Sequence, residues 1–220
     1  MKVGTFHDSL PDWARRLLAA PDPPASDRIL SPNPKDAAPR SGAVLILIGE
    51  GQEGPDVLLI ERSAESRDHP AQVAFPGGGT EADDRDAVAT ALREAAEETG
   101  IDPAGVRVLR VLPARWLSVS RFEVVPVLAW WVQPTAVRPG DLTEVAAVAR
   151  VPLALLADPA HRRRLRHPRG GVGPAFDLRP VGGFFIWGFT ASLLDWLLDA
   201  GGWARPWDDA EVGELPVPRR

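Results

Sequence analysis

Short apolar runs alternate with polar stretches rich in glycine and proline along the first half of this chain. Gly42 and Gly49 enclose AVLILI, a continuous apolar run typical of a buried strand. VLLIER, residues 57–62, predicts a second strand, and the glycines and aspartate of the intervening GEGQEGPD supply a turn. We therefore predict a hairpin over residues 43–62.

The later apolar runs predict further strands. RVLRVLPARWLSV at 107–119 and FEVVPVLAWWV at 122–132 are two of them, and we expect the second to be broken at Pro126, which has no N–H. Residues 145–156 predict a short strand or helix, and FFIW at 184–187 predicts a short strand.

Three segments carry the apolar spacing of helices: residues 8–20, residues 86–99, which Gly100 would close, and residues 190–200. The mixture predicts an α+β fold, with a mixed sheet flanked by helices. We divide the chain into an N-terminal helix and proline-rich linker (1–40), a main domain (41–200) and an irregular tail (201–220).

Composition narrows the functional classes. The 220 residues carry a net charge of −5, which argues against non-specific nucleic-acid binding. The chain has no cysteine, which excludes disulfides, thiolate metal sites and a cysteine nucleophile. No apolar run is long enough to span a bilayer, and we expect a cytoplasmic protein. The basic segment HRRRLRHPR, 161–169, predicts a solvated loop that could steer an anion.

An acidic helix is the most informative feature. At about 100° per residue, Glu94, Glu97 and Glu98 share one arc beside the apolar face of the helix. Like charges at this spacing repel, and the nearby C-terminal helix dipole disfavours them further. A bound divalent cation would offset both penalties, and oxygen ligands favour Mg²⁺ or Mn²⁺. A solvated acidic surface is the alternative for such a cluster taken alone.

The surrounding sequence, FPGGGTEADDRDAVATALREAAEETGI at 75–101, resembles the Nudix box. The matching positions are Gly77, Gly78, Arg93, Glu94, Glu97, Glu98, Gly100 and Ile101. The acid of the loop appears as Asp84, one residue further from the arginine than in the common box. An extra loop residue is a feature of the coenzyme A diphosphatase subgroup.

The preceding segment, 58–78, is similar to the coenzyme A motif of that subgroup. Ile60 stands where a threonine is usual, and Ala71 stands where a glycine is usual. The matching positions are Leu58, Leu59, Arg62, Ser63, Arg67, Phe75, Pro76, Gly77 and Gly78.

The resemblance implies an α/β/α sandwich and a set of site residues. Glu94 and Glu98, with Glu97, would hold Mg²⁺ or Mn²⁺, and Arg93 would orient the carboxylates or the glycine loop. The expected substrate-binding residues are Arg62, Arg67, Phe75, Gly77 and Gly78. The general base stays open among Glu97, Glu98, Glu144 and Glu123.

The implied function is hydrolysis of coenzyme A or acyl-coenzyme A to adenosine 3′,5′-bisphosphate and a 4′-phosphopantetheine. One alternative keeps the chemistry and changes the substrate to ADP-ribose, a dinucleotide or a modified nucleoside triphosphate. Another is a non-catalytic module that senses a nucleotide. We expect a small nucleotide ligand, no nucleic-acid or membrane partner, and a chain that is compatible with a homodimer.

Overall fold

The computed structural model describes residues 10–24, 40–65, 70–117, 122–167 and 170–215. Most of the predicted linker and Arg67 lie outside these residues. The helices are α1 (Asp12–Ala19), α2 (Ala87–Thr99), α3 (Leu153–Leu156) and α4 (Gly188–Gly201). The strands are β1 (Arg40–Gly51), β2 (Gly54–Arg62), β3 (Val73–Ala74), β4 (Gly77–Gly79), β5 (Val106–Val111), β6 (Arg115–Leu117), β7 (Phe122–Trp131), β8 (Val145–Pro152), β9 (Arg162–Arg166), β10 (Val172–Asp177), β11 (Phe185–Ile186) and β12 (Val212–Glu214).

A mixed sheet forms the centre of the molecule. Its strand order is β3-β2-β1-β7-β5, while β4 pairs with β1, β6 with β7, and β8 with β2. Strands β1 and β7 run parallel over Arg40–Ile48, and β1 and β2 form the predicted antiparallel hairpin. The hairpin prediction is confirmed.

Helices cover both faces of this sheet, as predicted for an α/β/α sandwich. On one face, Ala91 and Ala95 of α2 pack against alternate β1 residues such as Leu45 and Leu47. On the other face, α1 and α4 pack against the intervening residues, including Ile46 and Ile48. The period-two alternation of β1 therefore serves two cores at once.

Helix α2 begins and ends where the sequence predicts. Asp86 caps its N-terminus, accepting a hydrogen bond from the N–H of Ala89 at 2.8 Å. Gly100 adopts a left-handed conformation with φ 71°, and its N–H donates to the carbonyl of Ala96.

The predicted break at Pro126 is wrong, because β7 continues through it. The carbonyl of Pro126 accepts a hydrogen bond from the N–H of Leu112 at 2.9 Å. The carbonyl and N–H positions of a strand residue point to the same side. The missing N–H of Pro126 therefore faces the gap between β5 and β6, where the ladder is already interrupted.

The basic segment is not a solvated loop. Residues 162–166 form β9, which pairs with β10 and β12 in a second sheet. Arg162 is 4% exposed, forms an ion pair with Asp195 of α4 and lies over the rings of Phe176 and Trp207. The charge of Arg162 is thus neutralised inside the protein, and a purely solvated role is excluded for it.

Helix α1 and the described part of the tail both differ from the prediction. Helix α1 begins at Asp12, after Pro11, rather than at residue 8, and residues 8 and 9 of the predicted helix lie outside the described residues. The tail, predicted as irregular, contributes β12 parallel to β9. The division of the chain into three segments stays a prediction. Among the helices described, none has the length and apolar character needed to cross a membrane.

Candidate active site

A strand of three glycines places its backbone against the acidic helix. Strand β4 pairs with β1 through Gly77 opposite Val44 and Gly78 opposite Ala43. The N–H of Gly77 donates to Oε2 of Glu98 at 2.8 Å. Gly77 has φ 157°, and a Cβ there would lie 2.3 Å from the carbonyl oxygen of Ala43. Only glycine allows this contact between strand and carboxylate.

The neighbouring glycine faces a second carboxylate. A Cβ on Gly78 would lie 2.5 Å from the carboxyl carbon of Glu94. Two adjacent glycines therefore contact the carboxylates of two glutamates that are one helical turn apart, and both carboxylates lie between β4 and α2.

Burial and the charges of neighbouring acids raise the pKa values of these two acids. The pKa of Glu98, which is 6% exposed, rises to about 7 because of burial, with further raising by the charges of Glu94 and Glu144. The Gly77 N–H and Arg62, whose Nη1 lies 3.9 Å from Oε1 of Glu98, act in the opposite direction. Burial also raises the pKa of Glu94, although Arg93 partly opposes this shift. The site therefore holds negative charge only at a cost in free energy.

Arg93 ties the glycine loop to the helix. Its Nε and Nη2 donate to the two carboxylate oxygens of Asp84 at 3.1 and 2.9 Å, and Nη2 also donates to the carbonyl of Gly79 at 2.9 Å. Nη1 of Arg93 lies 3.1 Å from Oε1 of Glu94 and 3.1 Å from Oε2 of Glu97. Paired arginine–carboxylate bonds of this kind fix geometry as well as charge.

The carboxylate of Asp84 accepts hydrogen bonds from several groups in and around the loop. Its Oδ2 accepts hydrogen bonds from the N–H of Glu81 at 2.9 Å and the hydroxyl of Thr90 at 3.0 Å. The bond from Arg93 is the main cause that holds the pKa of Asp84 well below its ordinary value. The shifted loop acid therefore still reaches the arginine despite the extra residue.

The segment that precedes the glycines begins at Arg62, whose side chain contacts Glu98. Arg62 ends β2, and its N–H donates to the carbonyl of Gln72 at 2.9 Å. Ala71 adopts φ 54°, the left-handed conformation in which glycine is the usual residue. Phe75 is 2% exposed and packs in the core beneath α4, so its side chain has a packing role in this structure.

Comparisons with known proteins agree with this geometry. The family model described as the NUDIX domain matches residues 38–169. A protein named "Uncharacterized Nudix hydrolase NudL" from Escherichia coli (strain K12) is 38% identical over 155 residues, covering 70% of this chain and 79% of that protein. Its counterpart in Enterobacter sp. (strain 638) is 37% identical over the same length. This chain belongs to the Nudix hydrolase family.

A solved structure shares the fold. The crystal structure of RenU, a Nudix hydrolase from M. smegmatis, aligns with a TM-score of 0.54 at 17% identity, covering 80% of this chain and 95% of that one. At this identity the likeness concerns the fold alone.

Nudix hydrolases generally use divalent ions such as Mg²⁺ or Mn²⁺, and the donors present here fit such an ion. Glu94 and Glu98 offer hard oxygen ligands whose raised pKa values a cation would lower again. Within the described part of the chain, no three acidic or histidine side chains are gathered into a ready-made ligand set. The side chain of Glu97 is 60% exposed and pairs with Nη1 of Arg93, the same atom that contacts Glu94.

Sequence reasoning missed the loop that packs on the end of the Nudix helix. The N–H groups of Arg138 and Gly140 donate to the carbonyls of Thr99 and Glu98, both at 3.0 Å. A Cβ on Gly140 would lie 1.8 Å from the carbonyl oxygen of Glu97, so the close approach requires glycine. The Pro139-Gly140 dipeptide is a turn signal that marks this loop in the sequence.

Proposed function

We propose that this chain hydrolyses the diphosphate bond of coenzyme A or acyl-coenzyme A, giving adenosine 3′,5′-bisphosphate and 4′-phosphopantetheine or its acyl form. The observation that carries the proposal is the ion pair between Arg62 and Glu98. Arg62 belongs to the segment that resembles the coenzyme A motif, and Glu98 belongs to the box. The two motifs thus meet at one place.

The backbone of that motif supports the same proposal. Ala71 replaces the usual glycine and yet keeps a positive φ of 54°. The N–H of Ala71 lies 3.4 Å from the carbonyl of Ser63, which helps close the segment between β2 and β3. Ala71 therefore adopts the backbone conformation that a glycine at this position would adopt with less strain.

The residues of the site have distinct proposed roles. Glu94 and Glu98 would hold the cation, and Glu97 stays a predicted further ligand. Arg93 keeps the glycine loop in place by binding Asp84. Arg62 and Arg67 would contact phosphates, since guanidinium groups form paired hydrogen bonds with them. When bound, a divalent ion would neutralise the diphosphate and polarise a water molecule.

A substrate panel tests the proposal. The purified chain is incubated with Mg²⁺ or Mn²⁺ and with coenzyme A, acetyl-coenzyme A, dephospho-coenzyme A, ADP-ribose, dinucleotides and nucleoside triphosphates, and products are identified by mass. The Glu98→Gln variant, purified in the same way, controls for contaminating hydrolases. We expect kcat/KM for a coenzyme A substrate to exceed that of the other classes at least tenfold, about 1.4 kcal/mol in the transition state.

The other functions give different results in the same assay. A preference for ADP-ribose, a dinucleotide or a triphosphate would refute the coenzyme A substrate and keep the Nudix chemistry. No turnover of any substrate would favour a sensing module. We also propose a cytoplasmic location and a small-molecule substrate without nucleic-acid or membrane partners.

A further inference from the structure

Thr90 is a fully buried polar residue near the start of α2. It is 0% exposed, so water cannot serve as the partner of its hydroxyl. Its Oγ1 lies 3.0 Å from Oδ2 of Asp84, 3.4 Å from Oγ1 of Thr80 and 3.4 Å from the carbonyl oxygen of Asp86. A buried hydroxyl costs free energy unless it is hydrogen-bonded, so these contacts determine what the side chain does.

The hydroxyl of Thr90 has a single proton for these three oxygens. The carboxylate of Asp84 is the nearest and the only charged acceptor among them, so the proton is donated to Asp84. The carbonyl of Asp86 already accepts the N–H of Thr90 at 3.1 Å. In the longer contact with Thr80, Thr80 is then the donor. The hydroxyl of Thr90 therefore connects the helix to the loop that precedes it.

Thr99, the other buried threonine of α2, behaves differently. Its hydroxyl donates to the carbonyl of Ala95, four residues earlier, at 2.6 Å. This is the usual bond of a threonine inside a helix, and it stays within the helix. The contrast shows that the bond from Thr90 to Asp84 is a particular feature of this end of α2.

The carboxylate that accepts the bond is nearly as inaccessible as its donor. The side chain of Asp84 is 6% exposed, and its Oδ2 also accepts a hydrogen bond from Nη2 of Arg93 at 2.9 Å. Arg93 in turn contacts Glu94 and the carbonyl of Gly79. The position of the Asp84 carboxylate thus determines where Arg93 lies, and Arg93 links the glycine strand to the acidic helix.

We propose that Thr90 is a positioning residue for the hydrolysis and that it acts through Asp84 and Arg93. Its hydroxyl holds the Asp84 carboxylate at the place where Arg93 binds it, and Arg93 then keeps Glu94 and the glycine strand in their relative positions. This inference rests on the proposed function, because a reaction at the carboxylate of Glu94 is what depends on that geometry.

The test compares Thr90→Val with Thr99→Val in the full chain. Both variants replace a buried hydroxyl of α2 by a methyl group of similar size, but Thr90 contacts the loop acid and Thr99 contacts the helix backbone. Kinetics are measured with Mg²⁺ on coenzyme A, or on whichever diphosphate the substrate panel shows to be hydrolysed. We expect kcat of Thr90→Val to be at least fivefold below that of Thr99→Val, with KM within threefold, because misplaced groups slow the chemical step.

A second pair of variants isolates the hydroxyl. Thr90→Ser and Thr90→Ala both lose the methyl group and differ only in the hydroxyl, so kcat of Thr90→Ala should be at least fivefold below that of Thr90→Ser. This pair carries the test alone if circular dichroism shows that Thr90→Val does not fold. In an Asp84→Ala background the acceptor is gone, and adding Thr90→Val should change kcat less than twofold.

Four outcomes would overturn the proposal. They are a ratio of kcat below fivefold in either pair of variants, an effect that falls on KM in place of kcat, and a loss of twofold or more when Thr90→Val is added to Asp84→Ala. The last result would show that the hydroxyl acts independently of the loop acid. A wild-type chain without turnover of any diphosphate would instead refute the proposed function itself, and this inference with it.

Discussion

Gly78 and Glu94 are in such close contact that a methyl group on the glycine would occupy the position of the carboxylate, with a Cβ 2.5 Å from its carboxyl carbon. The displaced group is the flexible end of a side chain. The collision can therefore be relieved without moving the backbone, and the cost would fall on function.

We expect Gly78→Ala to lower kcat/KM about 100-fold while changing the free energy of unfolding by less than about 1 kcal/mol. Steady-state kinetics and urea unfolding measure the two effects. Gly79→Ala is the control, because its Cβ would meet only the ring of Phe122 at 3.9 Å. A Gly78→Ala variant with wild-type kinetics would contradict the packing of Glu94 beneath the strand.

Gly77→Ala should behave in the opposite way. Its Cβ would lie 2.3 Å from the backbone oxygen of Ala43, and a strand cannot move aside as a side chain can. We expect a loss of unfolding free energy of about 3 kcal/mol or more, within the range for severe steric changes, measured by urea unfolding. A variant as stable as Gly78→Ala would show that β4 does not pack as described.

The burial of Glu98 predicts a pH-dependent stability in the protein without metal. The pKa of Glu98 is raised to about 7 from 4.5, so the folded state binds the proton more tightly than the unfolded chain. This contribution is fully present below the unfolded pKa and is lost as pH rises through about 7. The stability difference between wild type and Glu98→Gln should therefore fall by about 3 kcal/mol from pH 4 to pH 8.5.

Urea unfolding in the presence of EDTA measures that difference across the pH range. Addition of Mg²⁺ at pH 8 should then stabilise the wild type more than Glu98→Gln, because the ion binds the folded carboxylate. A stability difference that stays flat with pH would show that Glu98 ionises normally.

The bond between Arg93 and Asp84 predicts a role for the shifted loop acid. Asp84→Asn removes the charge that both Nε and Nη2 of Arg93 contact, so the glycine loop should loosen. We expect kcat/KM to fall about tenfold to 100-fold, as for other misplaced groups. Asp83→Asn, on the exposed neighbour, should leave kinetics within threefold.

A double variant separates this bond from general damage. Arg93→Lys loses the paired geometry, so Asp84→Asn should add little to it if the two residues act as a unit. Fully additive losses in kcat/KM would contradict the coupling.

The backbone of Ala71 predicts a stabilising substitution. The positive φ of Ala71 costs a residue with a Cβ roughly 1 kcal/mol or more of conformational free energy, whereas glycine adopts it without this cost. Ala71→Gly should therefore raise the unfolding free energy by up to about 1 kcal/mol, after the entropy of the unfolded glycine is subtracted. Ala64→Gly, at an ordinary φ, should lower it by about 0.5–1 kcal/mol, and equal effects of the two would contradict the strain.

The sequence predicts this fold best where the periodicity is strong and local. The β1–β2 hairpin and α2 with its Asp86 and Gly100 ends follow from apolar spacing, turn residues and caps. The predicted role of Pro126 is wrong because the effect of a missing N–H depends on what lies opposite, which only the sheet register reveals. The burial of Arg162 depends in the same way on Asp195, 33 residues further along the chain.

The candidate site shows a similar division. The box motif places Glu94 and Glu98 on one face of a helix, and the structure adds that each meets a particular glycine. Glu97 shares their arc in sequence, but its carboxylate is more exposed and pairs with Nη1 of Arg93, which also contacts Glu94. The loop around Gly140 lies about 40 residues from the box, and no local pattern connects the two.

The placement of α1 and α4 has a consequence for how the protein can be shortened. The region shared with the family, residues 38–169, omits both helices. A fragment trimmed to that region would expose Ile46, Ile48, Leu59 and Leu128 to water, at about 1.5–3 kcal/mol for each side chain. Such a fragment should aggregate, because α1 and α4 no longer cover these apolar side chains.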